Sequence, residues 1–162
     1  MTGLVLPVLT LAAALLLDLL PLPGTAAPSL LPAVLYHWRV EQPERLPPIV
    51  TFAFGILADA LGGLPLGVTA AALLLAQGLL APCRRWLRRQ GWLVLWLGFL
   101  AFAALVAALR WTLLAVLAGA FLPAAAVLAE TGLSVLAFPG VAGLLALLPR
   151  SEPATARAAA RS

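Results

Sequence analysis

Charged side chains are too sparse in this sequence to cover the surface of a water-soluble domain. The 162 residues include ten basic and six acidic ones, whereas roughly a quarter of the residues are charged in a typical soluble domain. Lipid must therefore contact most of the outer surface. A membrane-spanning helix takes about 20 apolar residues, so the length allows six or seven helices with short loops. It leaves no room for a separate soluble domain.

The first half of the chain separates into four apolar segments divided by turns or charged loops. Two prolines and a glycine follow the first segment, and a loop with four charges and three prolines follows the second. A Gly-Gly-Leu-Pro turn follows the third segment, and an arginine-rich loop, residues 82–91, follows the fourth. These breaks predict four helical segments, at residues 1–20, 28–38, 49–61 and 66–81.

Residues 92–149 allow two interpretations. Arg110 and Glu130 divide them into three uncharged runs, but a single charged residue is not a turn, and helix–helix connections usually take about 2–8 residues. The alternative is two long spans joined near residues 119–123. Basic loops prefer the cytoplasm, and an even number of spans after Gly91 puts the basic tail on the same side as the other arginines.

We therefore expect an all-α membrane protein, a polytopic bundle of six transmembrane helices with cytoplasmic N- and C-termini. Seven spans remain the alternative. Residues 1–150 would form a single transmembrane helical domain, and residues 151–162 a disordered cytoplasmic tail, because this tail is rich in Ala, Arg and Ser. The first segment is expected to be an uncleaved span, since its N-terminal end lacks Lys and Arg.

Small and acidic residues recur at four-residue intervals in residues 54–67. Gly55, Asp59 and Gly63 share one helix face, and Gly67 continues the spacing beyond the turn at Pro65. A stripe of small residues lets helix backbones approach closely, and an ionised Asp59 must face protein because lipid exposure costs ~2.5–3.5 kcal/mol. Asp59 could be a proton or ion site or a partner contact. The structural interpretation, that it caps or bonds the Gly-Gly turn, is favoured.

A few other polar residues call for an interpretation. Asp18 falls at the outer end of the first span, where the membrane interface tolerates it. The six-span arrangement puts Glu130 inside the last helix, where it could pair with Arg110 or another arginine, or be neutral, and a buried pairing is favoured. His37 is interpreted as an interfacial anchor rather than a ligand. Cys83, the only cysteine, excludes an intrachain disulfide and is expected to be an unreactive thiol at a helix end.

The sequence offers no set of residues that would support catalysis. One histidine, one cysteine and six scattered carboxylates form no triad or metal-ligand pattern, and no glycine-rich loop follows a strand. We therefore expect no enzymatic activity, no cofactor and no metal. The arginines at the ends of apolar runs indicate membrane orientation, not nucleic-acid binding.

The segment FGILADALGGLPLG resembles the signature of the MreD family, the rod shape-determining membrane proteins of bacteria. Gly55, Asp59, Gly63, Pro65 and Gly67 match it, together with Leu66. Three other positions of the resemblance, upstream of this segment, are Tyr36, Trp38 and Pro43, although His37 separates the two aromatic residues. The pair Phe138-Pro139, followed by apolar residues and Arg150, is similar to the end of the family's last span.

The resemblance implies a non-catalytic scaffold of the cell-elongation machinery in the bacterial cytoplasmic (inner) membrane, involved in cell shape and lateral peptidoglycan synthesis. Its partner would be an MreC-like bitopic coiled-coil protein, linked indirectly to actin-like MreB and a peptidoglycan synthase and transpeptidase. The hairpin of residues 54–67 would be a packing core or partner surface. The loop carrying Arg84, Arg85, Arg88 and Arg89 would be a cytoplasmic contact. The alternative is a small-molecule-binding subunit of a membrane transporter.

Overall fold

A computed structural model describes residues 2–20, 28–119 and 123–147, and these residues form seven α-helices and a short 3₁₀ turn, with no β-strand. The predicted tail, residues 151–162, and its arginines lie outside the described residues, as does Arg150. The helices are α1 (Thr2–Asp18), α2 (Leu31–Glu41), α3 (Pro48–Gly62), α4 (Val68–Leu80), α5 (Arg84–Arg89), α6 (Trp92–Ala118) and α7 (Ala124–Ala146), and the 3₁₀ turn is Pro43–Arg45.

Proline and glycine set the limits of several helices. Pro48 opens α3, where its missing N–H costs nothing because the first amides of a helix have no partner within the helix. Gly63 ends α3 with a φ of 68°, and Gly119 ends α6 with a φ of 60°. This left-handed conformation is strained for residues with a Cβ and is common just past helix C-termini. The local sequence therefore determines where α3 and α6 end.

The described part of residues 92–149 forms two long helices, one ending at Ala118 and the other beginning at Ala124, which confirms the interpretation with two helices in this region. Arg110 and Glu130 lie inside α6 and α7 and interrupt neither. These two helices, with spans of 26 and 23 residues, are long and apolar enough to cross a membrane. The apolar helices α1, α3 and α4 are shorter. At 1.5 Å per residue α6 is about 40 Å long, whereas α2 is only about 16 Å long.

Apart from the short α5, helices that follow one another along the chain run antiparallel, as the contacts between them show, and this gives the bundle two distinct ends. The turn end contains Asp18, the α3–α4 turn and the ion pair of Arg110 with Glu130, since residues of all three line one cavity. The arginine end contains the C-terminus of α2, the segment after it, and α5. There the Arg88 Nη1 donates a hydrogen bond to the Glu41 carbonyl at 3.4 Å. Two of the predicted basic regions thus lie at one end.

The core is centred on Tyr36 of α2, which is fully buried. Its ring lies 5.4 Å from that of Phe99, 5.5 Å from Phe102 and 5.6 Å from Phe138. Phe99 and Phe138 stack on each other with centroids 4.3 Å apart. Such pairs each contribute about 0.5–1.5 kcal/mol beyond the burial of their area. The Tyr36 hydroxyl donates to the Leu95 carbonyl at 3.0 Å, so the cluster ties α2 to α6 and α7.

Two loops predicted from the sequence contain helix. Residues 82–91, expected to be a loop, include α5, which is amphipathic because Leu87 is buried while three of its arginines are exposed. Likewise α2 continues to Glu41, and the 3₁₀ turn follows it within the charged segment. Clusters of arginine read as loops in a hydropathy pattern, but arginine favours helix about as well as leucine does.

Candidate functional site

The Gly55 position is where α3 and α4 come closest together. A Cβ added to Gly55 would overlap the backbone of Ala70, and would also crowd the Ala70 methyl group. The two helices are therefore in backbone contact at this level, which only glycine on one side and a small residue on the other allow. The predicted close approach of helix backbones at the small-residue stripe is present, and the neighbouring helix is α4.

The Asp59 carboxylate bonds the first turn of α4. Its Oδ2 accepts the Gly67 amide at 2.9 Å, and both of its oxygens lie 3.0 Å from the Thr69 nitrogen. The side chain is completely buried. The first amides of a helix have no partner inside the helix, and a carboxylate there also interacts favourably with the helix dipole. Asp59 thus supplies the cap that the N-cap residue of α4, a glycine, cannot.

The Asp59 main chain takes part in the same turn. Its carbonyl accepts the Gly63 amide, and also the Leu64 amide at 3.0 Å. One residue therefore closes the C-terminus of α3 with its carbonyl and the N-terminus of α4 with its carboxylate. This agrees in kind with the structural interpretation made from the sequence. The position differs, because the carboxylate bonds the far side of the turn, beyond Pro65, rather than the two glycines.

A second polar contact links the same helices nearer the arginine end. The Thr51 hydroxyl and the Gln77 side-chain amide lie 3.1 Å apart, and both side chains are buried. The sequence analysis missed this pair. Thr51 stands four residues before Gly55, so extending the four-residue spacing by one step would have put it on the same face. Thr51, Gly55 and Asp59 together form the face of α3 that α4 covers.

The rest of the turn is open. Gly63 and Pro65 are exposed, and Leu66 is 69% exposed. Gly67 has a φ of 98°, which requires glycine and orients the start of α4. Of the motif residues, Gly55 and Asp59 are therefore enclosed within the chain, and the tip of the turn is the part that another molecule could contact.

The α1–α2 hairpin uses the same kind of cap, which the sequence analysis did not anticipate. The Asp18 carboxylate accepts the Leu30 amide at 2.7 Å, the Leu31 amide at 3.1 Å and the Ser29 hydroxyl at 3.3 Å. An aspartate at the end of one helix again bonds the start of the next helix. The common signal is an aspartate at the C-terminal end of an apolar segment, followed by a turn rich in Pro and Gly.

The other residues of the resemblance lie towards the arginine end. Trp38, 5% exposed, donates from Nε1 to the Thr10 hydroxyl at 2.9 Å and so joins α2 to α1. Pro43 begins the 3₁₀ turn. Tyr36 is the centre of the aromatic cluster. These residues are not near the α3–α4 turn, so the structure does not assemble all the motif residues into one site.

Glu130 pairs with Arg110, as expected, but the pair is not fully buried. The Arg110 Nη1 lies 3.1 Å from the Glu130 Oε1, and the side chains are 24% and 36% exposed. The two residues line a cavity of about 390 Å³ at the turn end, together with Asp18 and Ser29. Ser29 also links α2 to α7 by donating its amide to the Ser134 hydroxyl at 2.8 Å.

The α5 helix puts Leu87 into the bundle and its arginines at the surface. Leu87 is 5% exposed and lies beside Gly98 of α6. Arg84 lies near enough to Arg39 for their charges to interact. Cys83, just before α5, is exposed.

The described part of the chain contains no group of three or more His, Cys, Asp or Glu residues that could hold a metal ion. Comparison with protein-family profiles, with curated proteins and with solved structures finds no match to this chain.

The Gly55 contact gives a direct test of the hairpin. Gly55→Ala should lower the free energy of unfolding by about 1–3 kcal/mol, because the new methyl group forces the two helices apart. Gly78→Ala is the matched control in α4, where an added Cβ meets nothing within 4 Å, and it should be neutral or stabilising by about 0.5–1 kcal/mol. Thermal unfolding in detergent measures both. Equal effects of the two substitutions would contradict the close contact.

Proposed function

We propose that this chain is a six-span protein of the bacterial cytoplasmic membrane, with the arginine end and both termini in the cytoplasm. The two long helices α6 and α7 are sufficient in length and hydropathy to cross a membrane. The alternating directions of the helices support the other four spans, and the position of six of the seven described arginines at one end supports the orientation. The short helices would cross where the bilayer thins around them, a modest cost per ångström of mismatch.

We further propose that it acts as a non-catalytic scaffold of cell elongation, in the manner of MreD, and binds an MreC-like bitopic coiled-coil protein. The observation that carries this proposal is the α3–α4 hairpin. Four residues of the resemblance have a definite physical task there: Gly55 gives the close contact, Asp59 the cap, and Gly63 and Gly67 the left-handed turn positions. Motif residues that fix how two helices pack fit a protein whose role is to hold a binding surface in place.

The exposed part of the hairpin supports a binding role. Leu61 and Leu66 are 49% and 69% exposed on either side of the Gly63–Pro65 tip. Because Asp59 and Gly55 are enclosed by α4, a partner would contact the tip and the outer faces of the helices, not the stripe itself. The α5 arginines at the opposite end are the surface proposed for cytoplasmic components, including indirect links to MreB and the peptidoglycan enzymes.

The orientation can be tested with the single cysteine. In intact cells, a membrane-impermeant maleimide should leave Cys83 unlabelled and should label it only after the inner membrane is permeabilised. Cys83→Ser combined with Leu66→Cys is the matched control and should label in intact cells, since residue 66 is at the turn end. Labelling of Cys83 in intact cells would contradict the proposed orientation.

The scaffold role can be tested by co-purification. A tagged chain co-expressed with a bitopic coiled-coil protein of the MreC type should recover that protein in mild detergent. An unrelated single-span protein expressed at the same level serves as the control and should not be recovered. If the chain is folded, as judged by helical circular dichroism, and recovers neither protein, the proposed partner is wrong.

The cavity at the turn end favours the second candidate, a small-molecule-binding subunit of a transporter. It has a volume of about 390 Å³, and Asp18, Arg110 and Glu130 are among its lining residues, which is the kind of polar set that fixes a ligand in a pocket. Mass spectrometry of small molecules released from the purified chain tests it. A compound that is lost in Arg110→Gln but retained in Arg45→Gln, with both variants folded, would favour the transporter over the scaffold.

A further inference from the structure

An apolar groove of about 290 Å³ opens on the bundle surface near the arginine end. It is formed by the C-terminal part of α4, one side of α5 and the facing part of α6. Its floor contains Ala76, Leu87 and Phe102, which are buried, and its rim carries Leu79 and Trp86, which are 63% and 57% exposed. None of the functions discussed above uses this groove.

All four charged residues of α5, the helix beside the groove, are arginines. Successive residues of a helix are about 100° apart, so the α5 arginines occupy one side and Trp86 and Leu87 the other. Arg84 and Arg88 turn towards α2, where Arg88 bonds the Glu41 carbonyl. Arg85 and Arg89 are the arginines nearer to Trp86 around the helix and, within the described chain, form no hydrogen bond or ion pair. They are four residues apart and so share a face.

No acidic residue stands between Asp59 and Glu130 in the sequence, a stretch that carries five arginines. Glu41 and Glu44 are the carboxylates at this end of the bundle, and within the described residues neither forms an ion pair with an arginine of α5. A ligand that matches both features has an apolar chain and a negatively charged head. On the cytoplasmic side, arginines near the membrane surface attract anionic lipid.

We propose that this groove binds an anionic phospholipid, with an acyl chain along α4 and α6 and the phosphate held by Arg85 and Arg89. A partner's α-helix is about 10 Å across. A groove of about 290 Å³ would therefore hold less than one turn of such a helix. A single acyl chain is much narrower and suits the space. Trp86 at the rim fits the interfacial level at which tryptophan concentrates. The proposal depends on the membrane location proposed above but not on the scaffold role.

Native mass spectrometry of the detergent-purified chain, incubated with equal amounts of phosphatidylglycerol and phosphatidylcholine, tests the site. The wild-type chain should retain phosphatidylglycerol in preference to phosphatidylcholine by at least about tenfold. Arg85→Gln/Arg89→Gln should abolish this preference. Arg157→Gln/Arg161→Gln removes the same charge from the tail and should leave it unchanged. Equal retention of both lipids by the wild type, or equal losses in the two variants, would overturn the proposal.

A second variant tests the groove without changing any charge. Ala101 lines the groove and is exposed, so Ala101→Leu should fill it and lower phosphatidylglycerol retention severalfold. Phosphatidylglycerol should also slow the alkylation of Cys83, which lies at the groove, whereas inorganic phosphate should not. If Ala101→Leu retains phosphatidylglycerol fully, the acyl chain is not in the groove and the proposal fails. Because lipid retention is measured without the partner, this failure is distinguishable from failure of the co-purification.

Discussion

The α3–α4 hairpin depends on the hydrogen bonds that the Asp59 side chain accepts from the first turn of α4. Helices whose surfaces are mostly apolar attract one another without a strong preference for register, because dispersion forces are not directional. Hydrogen bonds from the Gly67 and Thr69 amides to the buried Asp59 side chain are directional. They fix the height of α4 against α3 and thereby bring Gly55 to the level of Ala70. Asp18 accepts the amides at the start of α2 in the same way. Of the three antiparallel pairs α1–α2, α3–α4 and α6–α7, the first two are therefore joined by an aspartate.

The remaining helices are held by a different kind of contact. Tyr36 lies among aromatic rings from α6 and α7, and its hydroxyl reaches a carbonyl of α6. Gly98 leaves room for this hydroxyl and for Leu87, because an added methyl group there would overlap both. The ion pair of Arg110 and Glu130 then joins α6 to α7 at the turn end. The bundle therefore has an aromatic centre, a turn end whose charges are mostly engaged, and an arginine end whose outermost charges are open to a ligand. This asymmetry underlies both the proposed orientation and the proposed lipid site.

The sequence was sufficient to predict the helical class, the four early helical segments and the small-residue face of α3. It succeeded there because hydrophobic runs, Pro and Gly act locally, and because Gly55 and Asp59 are four residues apart. It left two or three helices open for residues 92–149, since nothing in the sequence near Arg110 or Glu130 is a turn and a charge alone does not end a helix. It missed α5 because the four arginines lower the local hydropathy and the apolar side of the helix consists only of Trp86 and Leu87. The Thr51–Gln77 bond and the Asp18 cap involve tertiary or cross-turn contacts, which local patterns do not specify.

The central claim is that the motif aspartate builds the hairpin and that partners bind the shape it produces. The measurement that tests this most directly is partner recovery per folded chain for Asp59→Asn, with the unfolding midpoint determined on the same preparation. Asparagine keeps one acceptor oxygen and replaces the other with an NH₂ group that cannot accept an amide, so the account predicts a lower unfolding midpoint together with unchanged recovery of the coiled-coil partner by the fraction that remains folded. An unchanged unfolding midpoint with loss of the partner would contradict it, because Asp59 would then act through direct contact or ion binding rather than through the hairpin.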